Sequence, residues 1–222
     1  MAMNQFAAVL TAPVDDRPAQ NSDAMLLDAF MPNFDATRIE QRVIDGRPAA
    51  VYEAAIHADL VDALRRSRIV RGLFAVRAAG ERLASIARGR PVATPDMPVM
   101  RLVEMPNVGD WVRLGECAPN EFAFGAIGRF WGGETVWEEI ESSEFISFNK
   151  PGYAKIAANL SLRHYGDDRT LLSYEARTQA TDEVARRAFR RYWTFASFGA
   201  GFVMRAALDL IADRVLESEA RP

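Results

Sequence analysis

Residues 155–178 read KIAANLSLRHYGDDRTLLSYEART. Gly166-Asp167-Asp168 is turn chemistry set between two runs rich in apolar and β-branched residues, so the stretch predicts a hairpin of Lys155–Tyr165 and Arg169–Thr178. A three-residue loop fixes the register. Asn159 then lies opposite Glu175, and Ala157 opposite Arg177. Side chains alternate along a strand, so Lys155, Asn159, Glu175 and Arg177 share one face. The other face carries Ile156, Ala158, Leu160, Leu162, Leu172, Tyr174 and Ala176. That apolar face is expected inward, and the polar face is expected in water with ordinary ion pairs.

Downstream, Asp182 reads as the N-cap of a final helix. Val184, Ala185, Ala188, Phe189, Tyr192, Trp193 and Ala196 form its first apolar stripe. Val203, Ala206, Ala207, Leu210, Ile211 and Val215 form its second, and Gly199-Ala200-Gly201 between them predicts a break or kink. Upstream, Trp111–Cys117 and Glu121–Trp131 flank Ala118-Pro119-Asn120 as a second hairpin. Thr135–Glu141 and Glu144–Asn149 read as short strands. Before a Pro-rich connector at Pro91, Pro95 and Pro98 come helical stretches at Asp59–Ala79 and Glu81–Arg88. A helix with Pro48 in its first turn follows the turn Asp45-Gly46-Arg47-Pro48, and a first strand covers Asp35–Ile44.

One strand, two or three helices, about six strands and a long helix predict an α+β helix-grip domain over residues 25–220. Its curved antiparallel sheet of six or seven strands, laid out as a meander, would wrap the C-terminal helix. Residues 1–24 lack apolar periodicity and are expected to be a mobile tail. The chain has 222 residues, 49% of them hydrophobic, which suits one sizeable core. A net charge of -3 argues against a nucleic-acid footprint. Cys117 is the only cysteine, so no internal disulfide forms. Met1–Thr11 has no basic lead, and no run reaches the roughly 18 apolar residues of a membrane span. A cytoplasmic protein without stable membrane insertion is expected.

Metal and nucleophile chemistry find little support. His57 and His164 lack a third ligand at metal spacing. Cys117 has no adjacent cation. Ser142-Ser143 reads as a turn. Gly125, Gly128, Gly132 and Gly133 lie within and after an aromatic strand, not in a phosphate loop. Arg65, Arg66, Arg68 and Arg71 read as the wet face of a helix. The aromatics either line a pocket or fill the core; cavity volume is not legible from sequence.

The segments 26–35 (LLDAFMPNFD), 71–77 (RGLFAVR), 128–131 (GRFW), 148–155 (FNKPGYAK), 174–177 (YEAR) and 189–193 (FRRYW), with Asn159, resemble the START-like superfamily, also called SRPBCC or birch-pollen-allergen-like. Within it the chain resembles a bacterial group related to polyketide cyclase and dehydrase-like proteins. It differs in Asn149 and in the Pro-rich stretch near 91–98. The resemblance spans about residues 26–218. It implies a sheet-and-helix fold that hosts lipid carriers, hormone receptors, cyclases and coenzyme binders alike.

Three functions follow as expectations. The first is a module that binds an apolar lipid-like, polyketide-like or aromatic metabolite between sheet and helix. Its candidate ligand-binding residues are Phe122, Phe124, Phe130, Trp137, Phe148, Leu160, Tyr174, Trp193 and Phe202. The second is a cyclase or dehydratase using Lys155, Asn159, Glu175 and Arg177 on the cavity wall. The third is a regulatory or structural protein with a filled core. The expected partner is an apolar small molecule, with no cofactor, no metal and no nucleic acid; a homodimer is left open. Truncation before Ala24 is expected to shift the melting temperature by under about 2 °C, because so little apolar area is lost. A thermal melt showing a loss of several degrees would mean that the tail packs on the domain.

Overall fold

The computed structural model describes residues 25–66, 101–104, 110–131 and 135–220. The tail, the continuation of the helix beyond Arg66, the stretch 81–88, the Pro-rich connector, and Arg68 and Arg71 lie outside the described residues. The elements are α1 (Leu26–Phe30), β1 (Ala36–Asp45), α2 (Pro48–His57), α3 (Leu60–Arg66), β2 (Val112–Cys117), β3 (Glu121–Arg129), β4 (Val136–Glu138), β5 (Ala154–His164), β6 (Arg169–Ala180) and α4 (Glu183–Glu219).

The sheet is antiparallel in the order β1-β6-β5-β3-β2, with β4 paired to the far end of β3. The fold is therefore α+β, with a six-stranded sheet and one long C-terminal helix packed on it. The β5–β6 register is the expected one, with Asn159 opposite Glu175 and Ala157 opposite Arg177. The simple meander is corrected in two places. The first strand closes onto β6, the last, and β5 pairs with β3 across the short β4. Gly46 explains the first closure. Its φ of 137° turns the chain out of β1, its N–H donates to Asp168 O at 2.8 Å, and its carbonyl accepts from Thr170 Oγ1 at 2.7 Å.

The predicted strand Glu144–Asn149 is a coil that begins with a 3-10 turn at Ser142–Glu144. Glu144 Oε2 accepts from the Glu141 N–H at 3.0 Å, and Phe148 N–H donates to Glu144 O at 2.9 Å. Helical winding lets Phe145 and Phe148, three residues apart, face the same side. A strand would have set them on opposite sides. Helix α1 was not expected, since five residues are too few to show a helical period.

Helix α4 starts as expected. Asp182 accepts from Val184 N–H at 2.7 Å and Ala185 N–H at 2.8 Å. It then runs unbroken through Gly199-Ala200-Gly201, so the expected break is absent. The glycine serves close approach instead. A Cβ on Gly201 would lie 2.5 Å from Arg38 Nη2 and 2.8 Å from Glu40 Oε1, so a larger residue there would push aside the ends of these two side chains where the helix meets β1. Val184, placed in the apolar stripe by its spacing, is 77% exposed. An 18-residue window of α4 has a mean hydropathy of 1.4, a length and composition that would suit a membrane span, and 39% of it is buried within the protein.

Two cores form, one on each face of the sheet. On the inner face, Phe122, Phe124, Leu160, Leu162 and Leu172 pack with α2, α3 and the C-terminal half of α4. On the outer face, Leu27 and Met31 at α1 pack with Val112, Leu114, Ile127, Phe145 and Ala157. The face expected in water is thus covered. Leu210 is buried at 3% exposure, so Leu210→Ala is expected to cost about 2–5 kcal/mol by urea denaturation. A change below about 0.5 kcal/mol would contradict that packing.

Candidate functional site

The polar quartet lies on the outer face, away from α4, and it is buried. Lys155, Asn159, Glu175 and Arg177 are all under one-tenth exposed, so the expected solvated face is corrected. Alternation set their direction correctly. The surprise is their cover, and α1 with the coil before β5 explains it.

Each end of α1 is tied to this network. The Glu121 carboxylate accepts from Leu26 N–H at 3.1 and 3.0 Å, capping the helix start, and also accepts from Asn159 Nδ2. Arg177 Nη1 donates to Met31 O at 3.1 Å at the helix end and to Asp28 Oδ1 at 2.7 Å. Its Nε donates to Glu175 Oε1 at 2.7 Å. Its guanidinium lies 4.8 Å from the centre of the Phe34 ring. Burial opposes the Arg177 charge, but the hydrogen bonds to Glu175 and Asp28 outweigh it and raise its pKa. The Arg177 bond in turn holds the Asp28 carboxyl below its ordinary range. Lys155 donates to Ile146 O at 3.2 Å, and burial lowers its pKa; no carboxylate pairs with it among the described residues. Asn159 Oδ1 is buried without a hydrogen-bond partner among those residues. The quartet thus has partners that hold structure together, and it faces no helix-side space.

The inner face carries a different arrangement, a run of rings in contact. Tyr174 lies 6.1 Å from Phe124, Phe124 5.5 Å from Trp111, and Trp111 6.1 Å from Trp137. Trp137 then meets Phe130 at 6.0 Å, Phe130 meets Phe189 of α4 at 6.0 Å, and Phe189 meets Trp193 at 5.6 Å. Tyr192 joins at 5.8 Å from Phe130. Trp137 reaches this wall because Gly128 stands opposite it; a Cβ there would lie 2.5 Å from the indole.

Of the predicted ligand-binding residues, Phe122, Phe124, Phe130, Trp137, Leu160, Tyr174 and Trp193 belong to the helix side. Phe148 does not. It packs on the outer face beside Tyr153 at 5.8 Å. Phe202 lies under the Arg205 guanidinium at 4.8 Å, outside the run of ring contacts. Trp111, Trp131 and Tyr192 also belong to the run. No spacing marks Trp111, while Tyr192 falls within the apolar stripe already read for this helix.

Burial divides α4 in two. Leu208, Leu210, Ile211 and Val215 are fully packed, whereas Tyr192, Trp193 and Ala196 are only half-buried, as are Trp111, Phe130, Trp137 and Tyr174. Burial pushes the Tyr174 phenol up to about 12, and its hydroxyl has no partner among the described residues. A charged cluster adjoins it. Glu40, opposite Tyr174, pairs with Arg38 and with Arg205 at 3.5 Å. Of three pockets described among these residues, none lies between sheet and helix. One, of about 560 Å³, opens beside Trp111, between Asp110–Arg113 and Glu139–Glu144.

No family model and no curated protein matches the chain. Solved structures that match the chain include the protein TTHA0849 from Thermus thermophilus, at 10% identity and a TM-score of 0.34 over 83% of this chain and 100% of that one. The Zhui aromatase/cyclase from a Streptomyces species matches at 12% identity and a TM-score of 0.30, over 81% and 95%. Ara h 8.0201 matches at 11% identity and a TM-score of 0.26, over 82% and 98%. Both the fold and the site are read from the chain's own strands and side chains.

Arg177→Met removes the partner of buried Glu175 and the clamp on α1, and is expected to cost about 3–5 kcal/mol in urea denaturation. A near-zero cost would place the pair in solvent. The Asp28 contribution is present above the unfolded pKa near 3.8 and is lost as pH falls through the depressed folded value. Asp28 is 46% exposed in its side chain, so solvent screening keeps this effect small. Amide NMR shifts of Leu26 and Leu27 should move in that acid window, and should cease to do so in Asp28→Asn.

Proposed function

We propose that the protein binds an apolar, aromatic-rich small molecule between the sheet and the N-terminal half of α4. The observation that carries this is the run of rings from Tyr174 to Trp193, in which Phe124 and Phe189 are buried while Trp111, Phe130, Trp137, Tyr174 and Trp193 stay only half-buried under the N-terminal half of α4. Apolar burial drives such binding, at roughly 25 cal/mol per Å² before association costs. Ring faces and edges add shape selectivity for a planar ligand. The resemblance to polyketide-handling proteins is in keeping with a ligand of that chemistry.

The Tyr174 hydroxyl and the Arg38–Glu40–Arg205 cluster supply the polar end. Two guanidiniums share one carboxylate there, so the cluster favours a ligand carrying a carboxylate or carbonyl. A carrier is favoured over a cyclase built on Lys155, Asn159, Glu175 and Arg177, because those groups face α1 and the coil before β5, not the rings.

Native mass spectrometry of freshly purified protein is expected to show a carried apolar molecule. In solution, 1-anilinonaphthalene-8-sulfonate should bind with enhanced emission. Trp137→Ala and Trp193→Ala should each weaken that binding roughly tenfold, in line with about 1–1.5 kcal/mol per ring contact. Absence of both a carried molecule and dye binding, or dye binding indifferent to both substitutions, would sink the proposal.

A further inference from the structure

The outer side of α4 presents a second feature that ligand binding does not use. Phe195 is 83% exposed and Phe198 71% exposed, in the middle of a long helix. Arg187, Arg191, Phe195, Phe198 and Phe202 follow one another three or four residues apart, so they share one side of the helix. Phe189 and Trp193 turn the other way, toward Phe130. Two large rings held in water gain nothing for the fold, and clustered exposed apolar groups of this kind mark an interaction surface.

Charge identifies the occupant. No acidic residue occurs between Glu183 and Asp209, while Arg186, Arg187, Arg190, Arg191 and Arg205 all do. Arg186 and Arg187 pair with Glu183. Arg190 and Arg191 are exposed and form no ion pair among the described residues. A stripe of rings flanked by exposed arginines, on a chain whose net charge is -3, complements an anionic surface with an apolar layer beneath it. A second copy of the chain would bring arginine against arginine across a two-fold axis. Residues 67–90 fit no better, with Arg68, Arg71, Arg77, Arg82, Arg88 and Arg90 against Glu81 alone.

We propose that the Arg187–Phe202 side of α4 docks on an anionic lipid bilayer, with Phe195 and Phe198 entering the headgroup boundary and Arg190 and Arg191 meeting lipid phosphates. The helix lies in the membrane plane and does not cross it, because its inner side and its C-terminal half are packed on the sheet, α2 and α3. The surface is separate from the ring-lined site, although both use the same turns of one helix.

The test is co-sedimentation of the full chain with vesicles, either phosphatidylcholine alone or equal parts phosphatidylcholine and phosphatidylglycerol. Binding is expected to the anionic vesicles only, and to fall as salt screens the arginines. Arg190→Glu/Arg191→Glu should weaken it roughly tenfold or more, and Phe195→Ser/Phe198→Ser should abolish it. Both pairs are exposed, so thermal melts should stay close to that of the parent and exclude misfolding as the cause. No binding to anionic vesicles, or equal binding by the parent and both variants, would overturn the proposal. So would light scattering that shows a dimer split by Phe195→Ser/Phe198→Ser, which would assign the stripe to a second copy.

Discussion

The clamp that Arg177 places on α1 governs which side of the sheet can do what. One guanidinium holds Glu175, Asp28 and the carbonyl of Met31 at 2.7, 2.7 and 3.1 Å, and so fastens the end of a five-residue helix to β6. Glu121 fastens the other end by capping Leu26. An isolated helix of that length has no stability of its own, since nucleation costs more than one turn returns. With α1 in place, Leu27 and Met31 close the outer core, and the sheet acquires two covered faces instead of one. Polar side chains can then be buried on a face that is not a ligand site, because the backbone ends of a helix supply their partners.

That cover leaves the inner face as the side with unfinished packing. Gly201 brings α4 against Arg38 and Glu40 of β1, and beyond it Ala207, Leu208 and Ile211 seal the helix onto the inner core. Asp209 pairs with Arg42 on the same strand. Before Gly201 the contact changes character. Asp35 anchors Arg186 at 2.7 Å, the rings of Phe189 and Trp193 meet Phe130 and one another, and no close-packed aliphatic layer intervenes among the described residues. The helix is therefore held at both ends and stands over half-buried rings between them.

Much of the fold was legible because local chemistry decided it. The turn Gly166-Asp167-Asp168 set the β5–β6 register, and Gly166 and Asp168 both adopt the positive φ such a turn requires, 68° and 52°. Asp182 marked the start of α4. The failures at the sheet's outer face and in the aromatic run share one cause, which is long-range contact. Alternation showed that Lys155 and Glu175 face away from the apolar side, but it carries no information about what covers them. The cover of Glu175 and Arg177 is α1, more than a hundred residues away in the chain, and that of Lys155 is the coil around Phe145 and Ile146. The pair Gly199 and Gly201 was read as a helix breaker from propensity alone, whereas the helix runs through it and packs Gly201 against the side-chain ends of Arg38 and Glu40. The aromatic run was only half visible, since Trp111 joins it through tertiary packing.

The division of α4 also bears on how a ligand could enter. Stability is not uniform along a helix, and the stretch with the fewest buried apolar contacts opens at the lowest free energy. In α4 that stretch is 190–200, where the inward residues Tyr192, Trp193 and Ala196 are half-buried and the outward residues Phe195 and Phe198 are bare. Gly199 and Gly201 lie at its C-terminal boundary, and glycine weakens a helix by roughly 1 kcal/mol relative to alanine. The stretch 190–200 is therefore the least firmly held part of α4, between an N-terminal turn fixed by Phe189 and the Asp35–Arg186 pair and a C-terminal half locked by Leu208, Leu210, Ile211 and Val215. Opening would expose the ring-lined face on the side where the barest aromatic residues and the exposed arginines of the helix stand. With the ligand site and the membrane-docking surface proposed above, an apolar molecule using that route would meet lipid before bulk water.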